Sequence, residues 1–85
     1  MNYVWVVYLA GEIHKAYKTR EKAYEIIKEY VINAEHLPEP YKEMCLKYLK
    51  DNYEQGMHFF SDEGDEWAEK VEIADWKICP SGHFF

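Results

Sequence analysis

The chain has 85 residues, of which 18% are aromatic, and its formal net charge is −6 at pH 7. A chain of this length encloses a single hydrophobic core, so we predict one domain spanning residues 1–85. Each aromatic side chain can bury about 150–250 Å², so the chain has enough apolar area to form a core, which excludes a disordered protein. No segment reaches the roughly 20 apolar residues of a membrane-spanning helix.

The apolar run at residues 4–10, "VWVVYLA", could pass for the apolar part of a signal peptide. However, no Lys or Arg precedes it and no small-residue cleavage pattern follows it. We therefore interpret the run as a strand and expect a cytoplasmic protein. In that reducing compartment the two cysteines, Cys45 and Cys79, are predicted to be free thiols.

The first predicted elements are two strands joined at a glycine. Residues 2–10 are apolar at alternating positions on both faces, which is typical of a central strand buried on both sides. Gly11 follows, and glycine readily adopts the positive φ that a tight hairpin turn needs. Residues 12–18 are more polar and carry lysines, a pattern that predicts an edge strand.

A helix is predicted to begin after Thr19, whose hydroxyl can cap the first turn, while Glu21 lies favourably near the helix N-terminus. Apolar residues then recur at spacings of three and four and define one buried stripe: Ala23, Ile26, Ile27, Tyr30, Val31 and Ala34. Pro38 and Pro40 end this helix, because proline restricts its own backbone and that of the preceding residue.

Pro40 can also open a second helix, since the first helical turn does not need the missing N–H. The predicted core stripe of this helix consists of Tyr41, Met44, Cys45, Tyr48 and Leu49. Leu46 and Tyr53 lie on a flanking row and are expected to fall partly outside the core stripe. Gly56 is predicted to end the helix as a left-handed cap.

Two more strands are predicted at residues 57–61 and 70–78. In a regular strand over residues 70–78, Val71 and Ile73 would face one side of the sheet, whereas Trp76 and Ile78 would face the opposite side. Either a bulge near Ala74 and Asp75 restores a common inward face, or the strand is buried on both faces. Residues 79–85 are predicted to form an irregular tail whose terminal phenylalanines fold back on the core.

This order of elements, strand-strand-helix-helix-strand-strand, predicts an α+β domain of two layers. We expect one four-stranded antiparallel sheet with two helices on one face.

The negative charge is concentrated near the C-terminus. Residues 1–53 contain eight acids and eight Lys or Arg, whereas residues 54–85 contain eight acids against Lys70 and Lys77, so the whole net charge of −6 lies there. Such asymmetry bears on partners and solubility rather than on the fold.

Residues 59–70, "FFSDEGDEWAEK", place four acids around Gly64. Clustered carboxylates suit hard cations, but a calcium loop requires ligands at alternating positions, and Trp67 and Ala68 interrupt that pattern. We therefore predict no metal here and interpret the stretch as a hairpin tip, in which Gly64 turns and its polar neighbours stay in water.

Two explanations of the excess acid stay open. It is either a solvated rim that keeps an aromatic-rich protein soluble, or a surface complementary to a basic partner with Trp67 as its apolar anchor. The candidate partner-binding residues are Asp62, Glu63, Asp65, Glu66, Trp67, Glu69 and Glu72.

The sequence contains no catalytic signature, and we interpret the protein as non-enzymatic, without cofactor or metal. Structural zinc sites normally show two closely spaced pairs of ligands, and this sequence has only one loose pair, Cys79 and His83. His58 or Cys45 could join that pair only if the tertiary fold brought them near it. Cys45 falls in a core stripe, where a thiol is an inert small hydrophobe.

Nucleic-acid binding is a weaker alternative, because phosphate affinity depends on cations and the chain is acidic. Its only basic cluster lies at the second strand and the start of the first helix, and consists of Lys15, Lys18, Arg20 and Lys22.

Residues 3–27, "YVWVVYLAGEIHKAYKTREKAYEII", resemble the opening of small proteins common in bacteriophage and bacterial genomes. In those proteins a strand pair joined near Gly-Glu precedes a Thr/Ser-x-Glu-x-Ala helix start, and residues 69–78, "EKVEIADWKI", are weakly similar too. The resemblance implies a phage or mobile-element origin, and such small acidic proteins often bind and block host factors.

The expected function is therefore that of a phage-encoded inhibitor that occludes a basic surface of a host or defence protein, such as a surface that binds nucleic acid. An alternative from another class is a homodimeric accessory or scaffold module that uses exposed Tyr24, Leu46 and Tyr53 as its interface. A weak nucleic-acid binder is the third possibility.

Overall fold

The computed structural model describes residues 3–73, which form four strands and two helices. In chain order these elements are β1 (Tyr3–Leu9), β2 (Glu12–Tyr17), α1 (Arg20–Asn33), α2 (Glu39–Glu54), β3 (Phe59–Ser61) and β4 (Trp67–Glu72). The strands form one antiparallel sheet in the order β2-β1-β4-β3, so the predicted α+β architecture is confirmed. Neither helix in the described part is long and apolar enough to cross a membrane.

Both helices pack on one face of the sheet, as predicted. Trp5 and Val7 of β1 point towards this side, where Ile27 of α1 and Leu49 of α2 are fully buried. The other buried members of this main core are Tyr17, Ala23, Val31, Cys45, Phe60 and Ala68. The core therefore lies between the sheet and the helix pair.

The opposite face of the sheet carries a second, smaller apolar cluster. Val4, Val6 and Ala16 are almost completely buried there, and Tyr8 and Val71 pack against them. Residues 4–7 of β1 are thus buried on both alternating faces, which confirms that β1 is a central strand and β2 an edge strand.

The β1–β2 turn contains two residues, Ala10 and Gly11, with φ values of 54° and 78°. Two consecutive positive φ values characterise the type I′ turn, whose twist matches that of the flanking strands. The predicted reversal is confirmed, but it requires a positive φ of an alanine as well as of the glycine. His14 is an extra residue in β2, because Val7 pairs with Lys15 while Tyr8 pairs with Ile13.

The start of α1 follows the prediction closely. The Thr19 hydroxyl oxygen accepts a hydrogen bond from the backbone N–H of Lys22 at 3.1 Å, which confirms the cap. Of the predicted stripe, Ala23, Ile27, Val31 and Ala34 are buried, whereas Ile26 and Tyr30 are half-buried at its edges.

The predicted core stripe of α2 is only partly right. Cys45 and Leu49 are buried, but Tyr41, Met44 and Tyr48 are 39%, 52% and 39% exposed. The flanking Leu46 and Tyr53 pack against the core instead. The helix is therefore rotated about its axis relative to the prediction, because the side that faces α1 and the sheet is determined by packing and the helix is apolar on more than one side. Gly56 follows α2 with a φ of 73°, as predicted for a left-handed cap.

The last two strands differ from the prediction in their limits. β3 is shorter than predicted, and β4 begins at Trp67 rather than at residue 70, because Trp67 pairs with both Tyr8 and Ser61. The predicted continuation to residue 78, the bulge near Ala74 and Asp75, and the tail at residues 79–85 lie outside the described residues.

Candidate functional site

Residues 62–66, which are four acids and Gly64, connect β3 to β4 and are called the acidic turn below. The antiparallel pairing of Phe60 with Ala68 confirms the predicted hairpin, but its geometry differs from the expectation. The positive φ belongs to Glu63, at 75°, and not to Gly64. A Cβ atom on Gly64 would lie 3.3 Å from Glu66 Oε1 and 3.4 Å from Asp62 Oδ1, so a larger residue there would require the Glu66 side chain to shift by a few tenths of an ångström.

Asp62 lies inside the acidic turn rather than on its surface. The residue is fully buried; its backbone N–H donates to the carbonyl of Glu66 at 3.2 Å, and its Oδ1 accepts from the backbone N–H of Gly64 at 2.9 Å. Within the described part of the chain its Oδ2 has no hydrogen-bond donor. The prediction that Asp62 contacts a partner directly is therefore wrong, because its side chain organises the turn from within.

Burial is the main reason why the pKa of Asp62 is raised to about 6, since the ionised carboxylate loses its hydration. The neighbouring Glu66 carboxyl adds to this effect, because its negative charge repels an ionised Asp62 and its oxygen can accept the proton of a neutral one, while the hydrogen bond from Gly64 acts in the opposite direction. When Asp62 is protonated, it can donate to Glu66; when it is ionised, Oδ2 is left without a donor.

The acidic turn is tied to the β1–β2 turn by two hydrogen bonds. The backbone N–H of Ala10 donates to Glu66 Oε2 at 3.0 Å, and the N–H of Gly11 donates to the carbonyl of Asp65 at 3.0 Å. Both bonds join residues far apart in sequence, so the two turns form one structural unit at this end of the sheet. The Glu66 side chain is consequently half-buried and part of the scaffold.

Glu63 and Asp65 project their side chains into solvent. The Glu63 backbone N–H donates to the Ser61 hydroxyl at 3.4 Å, but within residues 3–73 no carboxylate of the acidic turn forms an ion pair. These two residues therefore present negative charge that the described part of the protein leaves uncompensated.

Trp67 is half-buried and stacks on Tyr8, with 4.4 Å between ring centroids and 12° between ring planes. The Tyr8 hydroxyl also donates to Glu69 Oε1 at 2.9 Å. Trp67, the predicted apolar anchor, therefore has one face of its ring already covered by Tyr8.

The strand also separates the predicted contact residues of β4. Trp67 and Glu69, which pair with Tyr8 and Val6, lie on the sheet face opposite the helices. Glu72 pairs with Tyr3 and is an odd number of residues away from both, so it lies on the other face. Glu72 is exposed but does not extend the surface formed by Trp67 and Glu69.

A cavity of about 350 Å³ lies beside the acidic turn and is called the turn cavity below. Its functional groups come from Tyr30, His36, Tyr41, Gly64, Asp65 and Glu66. The sequence had no signal for this assembly, because Tyr30 and Tyr41 were assigned to core stripes. A hydrogen bond with Cys45 is the main cause that raises the pKa of Tyr41, and burial raises the pKa of the Cys45 thiol, which is not activated as a nucleophile.

The alternative interface at Tyr24, Leu46 and Tyr53 is not an open face. All three side chains are half-buried against the main core. The Tyr24 and Tyr53 rings stack at 4.3 Å, and both contact the edge or face of Phe60. The expectation that they are exposed is wrong; the exposed apolar strip of α2 consists of Tyr41, Met44 and Tyr48.

The predicted basic cluster is also divided by the fold. The Arg20 guanidinium donates to the backbone carbonyl of Tyr53 and lies over the rings of Tyr53, Phe60 and Trp5, at 4.2, 5.3 and 5.7 Å from their centroids. Arg20 therefore joins the start of α1 to the end of α2, while Lys18 and Lys22 are exposed. This arrangement reduces the basic surface that could contact phosphates.

No group of three or more His, Cys, Asp or Glu side chains that could hold a metal ion occurs within residues 3–73. His58 is exposed, Cys45 is buried, and the predicted pair of Cys79 and His83 lies outside the described residues.

Comparison with known proteins adds no functional assignment: no protein-family model, no curated protein and no solved structure matches this chain.

Proposed function

We propose that this protein is a small, non-enzymatic, acidic protein-binding protein that occludes a basic surface of its partner. The observation that carries the proposal is the pair of exposed carboxylates of Glu63 and Asp65 on the acidic turn, which form no ion pair within residues 3–73. A turn that only keeps a protein soluble needs no defined shape, whereas this one is held by hydrogen bonds to Ala10 and Gly11. Pre-organisation of this kind reduces the entropy lost when a surface binds.

The binding surface consists of the exposed acids of the turn and the adjoining part of β4. Glu63 and Asp65 supply the outer charges, and Glu66, Trp67 and Glu69 continue the surface along the strand. Like charges on one side accelerate the approach of a basic protein, and the half-buried Trp67 ring offers apolar area at the edge. Occlusion then follows from the bulk of the domain, without any chemical step.

The proposed origin in a phage, and the proposed target among host or defence proteins, rest on the resemblance of residues 3–27 to small phage and bacterial proteins. The proposed partner surface is basic, because positive charge complements the carboxylates of the acidic turn. A surface that binds nucleic acid is one example, since it carries the cations that neutralise phosphates.

The test is capture of partners from a bacterial lysate on immobilised protein, with the captured proteins identified by mass spectrometry. A double variant, Glu63→Lys with Asp65→Lys, reverses the exposed charges of the acidic turn. A matched control, Glu25→Lys with Glu43→Lys, changes the net charge equally at exposed positions of α1 and α2. Both variants should fold normally, because exposed charges contribute little to stability.

We expect the turn variant to lose a specific basic partner that the control variant retains. Binding kinetics with the purified partner should show slower association for the turn variant, and wild-type association should slow as salt rises, because charges are screened over about 8–10 Å at moderate ionic strength. The wild-type protein should also compete with the ligand of that partner surface. Equal capture by both variants, or binding that is independent of salt, would assign the acids to solubility alone.

A second candidate function, a homodimeric accessory module, is favoured by one observation. Tyr41, Met44 and Tyr48 form an exposed apolar strip along α2, at positions expected from sequence to lie in the core. Light scattering of the pure protein distinguishes the two functions. A dimer that Met44→Glu converts to a monomer supports the module, and a wild-type monomer at high concentration contradicts it.

A further inference from the structure

Only one of the two edge strands of the sheet is protected against pairing with a further strand. Proteins commonly block a free edge with charged side chains or a bulge. The β2 edge has both, because it contains Lys15 and the extra residue His14. The β3 edge has neither: residues 56–61 include no Lys, Arg, Asp, Glu or Pro, the pairing with β4 is regular, and Met57 and Phe59 are 53% and 45% exposed. A further strand can therefore pair with β3.

The backbone groups of Phe59 and Ser61 point outwards from this edge. In an antiparallel pair, residues alternate between those that bond to the neighbouring strand and those that point away from it. The N–H of Lys70 in β4 donates to the carbonyl of His58 at 2.9 Å, so His58 and, two residues later, Phe60 bond to β4. Phe59 and Ser61 consequently direct their N–H and C=O groups to the side of β3 on which no described strand lies.

The exposed apolar strip of α2 runs along this same edge. α2 packs on β3, the outermost strand, while α1 packs mainly on β1, so the side of α2 that faces away from α1 lies above the edge. Lys42, whose Nζ donates to the Ile32 carbonyl of α1 at 3.1 Å, marks the side that faces α1. Tyr41, Met44 and Tyr48 lie on the other side and form an apolar wall above the β3 edge.

The wall and the strand match in length. Tyr41 also lines the turn cavity beside the acidic turn, so the wall begins where β3 ends and runs back along it. From Tyr41 to Tyr48 a helix rises about 10 Å, and the three residues of β3 span about 10 Å as well. Phe59, which pairs with Glu69, lies on the opposite sheet face and adds apolar surface below the edge. These features form the edge groove, which consists of Tyr41, Met44, Tyr48, Met57, Phe59 and Ser61.

A single extended segment fits the edge groove better than a second copy of the chain. Neighbouring strands lie about 4.8 Å apart, whereas packed helices lie about 8–10 Å apart. If the β3 edges of two copies paired, the two α2 helices above them would be brought to about the strand spacing and would collide. A segment that has no helix above it avoids this collision.

The charge at one end of the edge groove favours one direction of the segment. The acidic turn directly follows β3, so the exposed carboxylate of Glu63 lies at the end of the groove nearest Ser61. A basic residue of the bound segment is favoured there. Antiparallel pairing, which is the commoner arrangement, places the N-terminal part of the segment beside the acidic turn.

We propose that the edge groove binds an extended segment of the partner protein as an added strand, antiparallel to β3, with a basic residue beside the acidic turn. This inference rests on the proposed function and names the form of the partner segment. Strand addition provides affinity through main-chain hydrogen bonds, here with Phe59 and Ser61, and specificity through alternate side chains. Apolar side chains at alternate positions of the segment contact the wall formed by α2.

The experiment uses the full chain, isotopically labelled, and follows its amide NMR spectrum during titration with the peptide acetyl-Lys-Arg-Val-Thr-Val-Thr-Val-amide. We expect saturable shifts of the Phe59 and Ser61 amides, with a dissociation constant on the order of 0.1–1 mM for a short peptide that is ordered on binding. The control peptide acetyl-Val-Thr-Val-Thr-Val-Arg-Lys-amide, which carries the basic residues at the other end, should bind several-fold more weakly. In the free protein the Phe59 and Ser61 amides should exchange with D₂O much faster than the Phe60 amide, which bonds to β4.

Two matched pairs of variants test the edge groove directly. Ser61→Pro removes an N–H that points away from β4, while Ser61→Ala loses the same hydroxyl and keeps the N–H. Met44→Glu places a charge in the wall, and Ile32→Glu places the same charge at an exposed apolar position of α1. Ser61→Pro and Met44→Glu should each weaken peptide binding about five- to tenfold, whereas each control should change it by less than about twofold. The dispersion of the amide spectrum reports whether each variant is folded.

Unsaturable shifts, shifts that leave Phe59 and Ser61 unchanged, or equal binding by Ser61→Pro and Ser61→Ala would each overturn the inference. Slow exchange of the Phe59 and Ser61 amides in the free protein would overturn it as well, because the edge would then already be paired.

The result is separable from the proposed function. If the peptide fails to bind but the charge-reversed turn still loses its partner, the partner recognises the acidic turn without adding a strand. If the peptide binds at the β3 edge and no basic partner depends on Glu63 and Asp65, the proposed function fails while the assignment of the edge groove stands.

Discussion

Replacing Asp62 by asparagine should make the protein more stable at neutral pH. The pKa of this carboxyl is about 6 in the folded protein against an ordinary value of 3.8, so between these values the folded state holds the proton that the unfolded chain releases. The stability provided by protonated Asp62 is therefore lost as pH rises through about 6. The two pKa values differ by about 2, and each unit corresponds to about 1.4 kcal/mol. Ionisation of Asp62 can therefore lower the free energy of unfolding by at most about 3 kcal/mol.

Asparagine removes this ionisation and keeps the hydrogen bonds of the turn. Its amide oxygen can accept from Gly64 as Asp62 Oδ1 does, and its NH₂ group can donate to Glu66. We therefore expect Asp62→Asn to raise the free energy of unfolding by about 1–3 kcal/mol above pH 6.5 and by almost nothing below about pH 4. The charge of Asp62 in turn contributes to the raised pKa values of Tyr41 and Cys45 on α2, and this contribution is absent in the variant.

The assay is urea denaturation of wild type and variant at several pH values, with the difference in unfolding free energy plotted against pH. Glu63→Gln is the control, because its side chain is exposed and the change in charge is the same. It should give a small difference without a step near pH 6. A stabilisation by Asp62→Asn that is equal at pH 4 and pH 7, or a loss of stability at both, would refute the assignment of a buried, destabilising carboxylate.

The remaining predictions concern the scaffold, and urea denaturation checks each of them. Trp5→Ala should reduce the free energy of unfolding by about 3–5 kcal/mol, because this core ring lies 5.7 Å from the ring of Phe60; a loss below about 1 kcal/mol would contradict a central β1. Arg20→Met should cost about 2 kcal/mol, since it removes the donor to Tyr53 and the cation above the rings, and no loss would mean that Arg20 is only a surface residue. Ala10→Asn should stabilise by about 0.5–1 kcal/mol, because asparagine tolerates the φ of 54° better than alanine; destabilisation would argue against this turn geometry.

The sequence contained the information for the elements and their order. The alternation in residues 2–10, the cap at Thr19, the prolines at 38 and 40 and the left-handed glycine at 56 each depend on neighbours within a few residues. Backbone geometry and hydrophobic period are local properties, so these features could be predicted without knowing what packs against them. The predicted order also determined the layers, because an apolar stripe on each helix has to be buried against the sheet.

Only the tertiary structure decided which residues of those elements are exposed. Around α2 the apolar residues cover more than one side, so the sequence could not tell that Leu46 would face the core and Met44 the solvent. From the sequence, Arg20 was assigned to a basic surface cluster. In the structure its guanidinium donates to the Tyr53 carbonyl at the end of α2 and lies over the ring of Phe60.

The same holds for the candidate site. The sequence located the excess of negative charge and the hairpin that carries it, but it treated the acids as equivalent. Asp62 is buried and Glu66 is bound to Ala10, while Glu63 and Asp65 remain in solvent. The burial of a carboxylate, its pKa and the shape of a cavity depend on the contacts made by segments far apart in the chain, and only the folded chain brings Tyr30, Tyr41 and the acidic turn together.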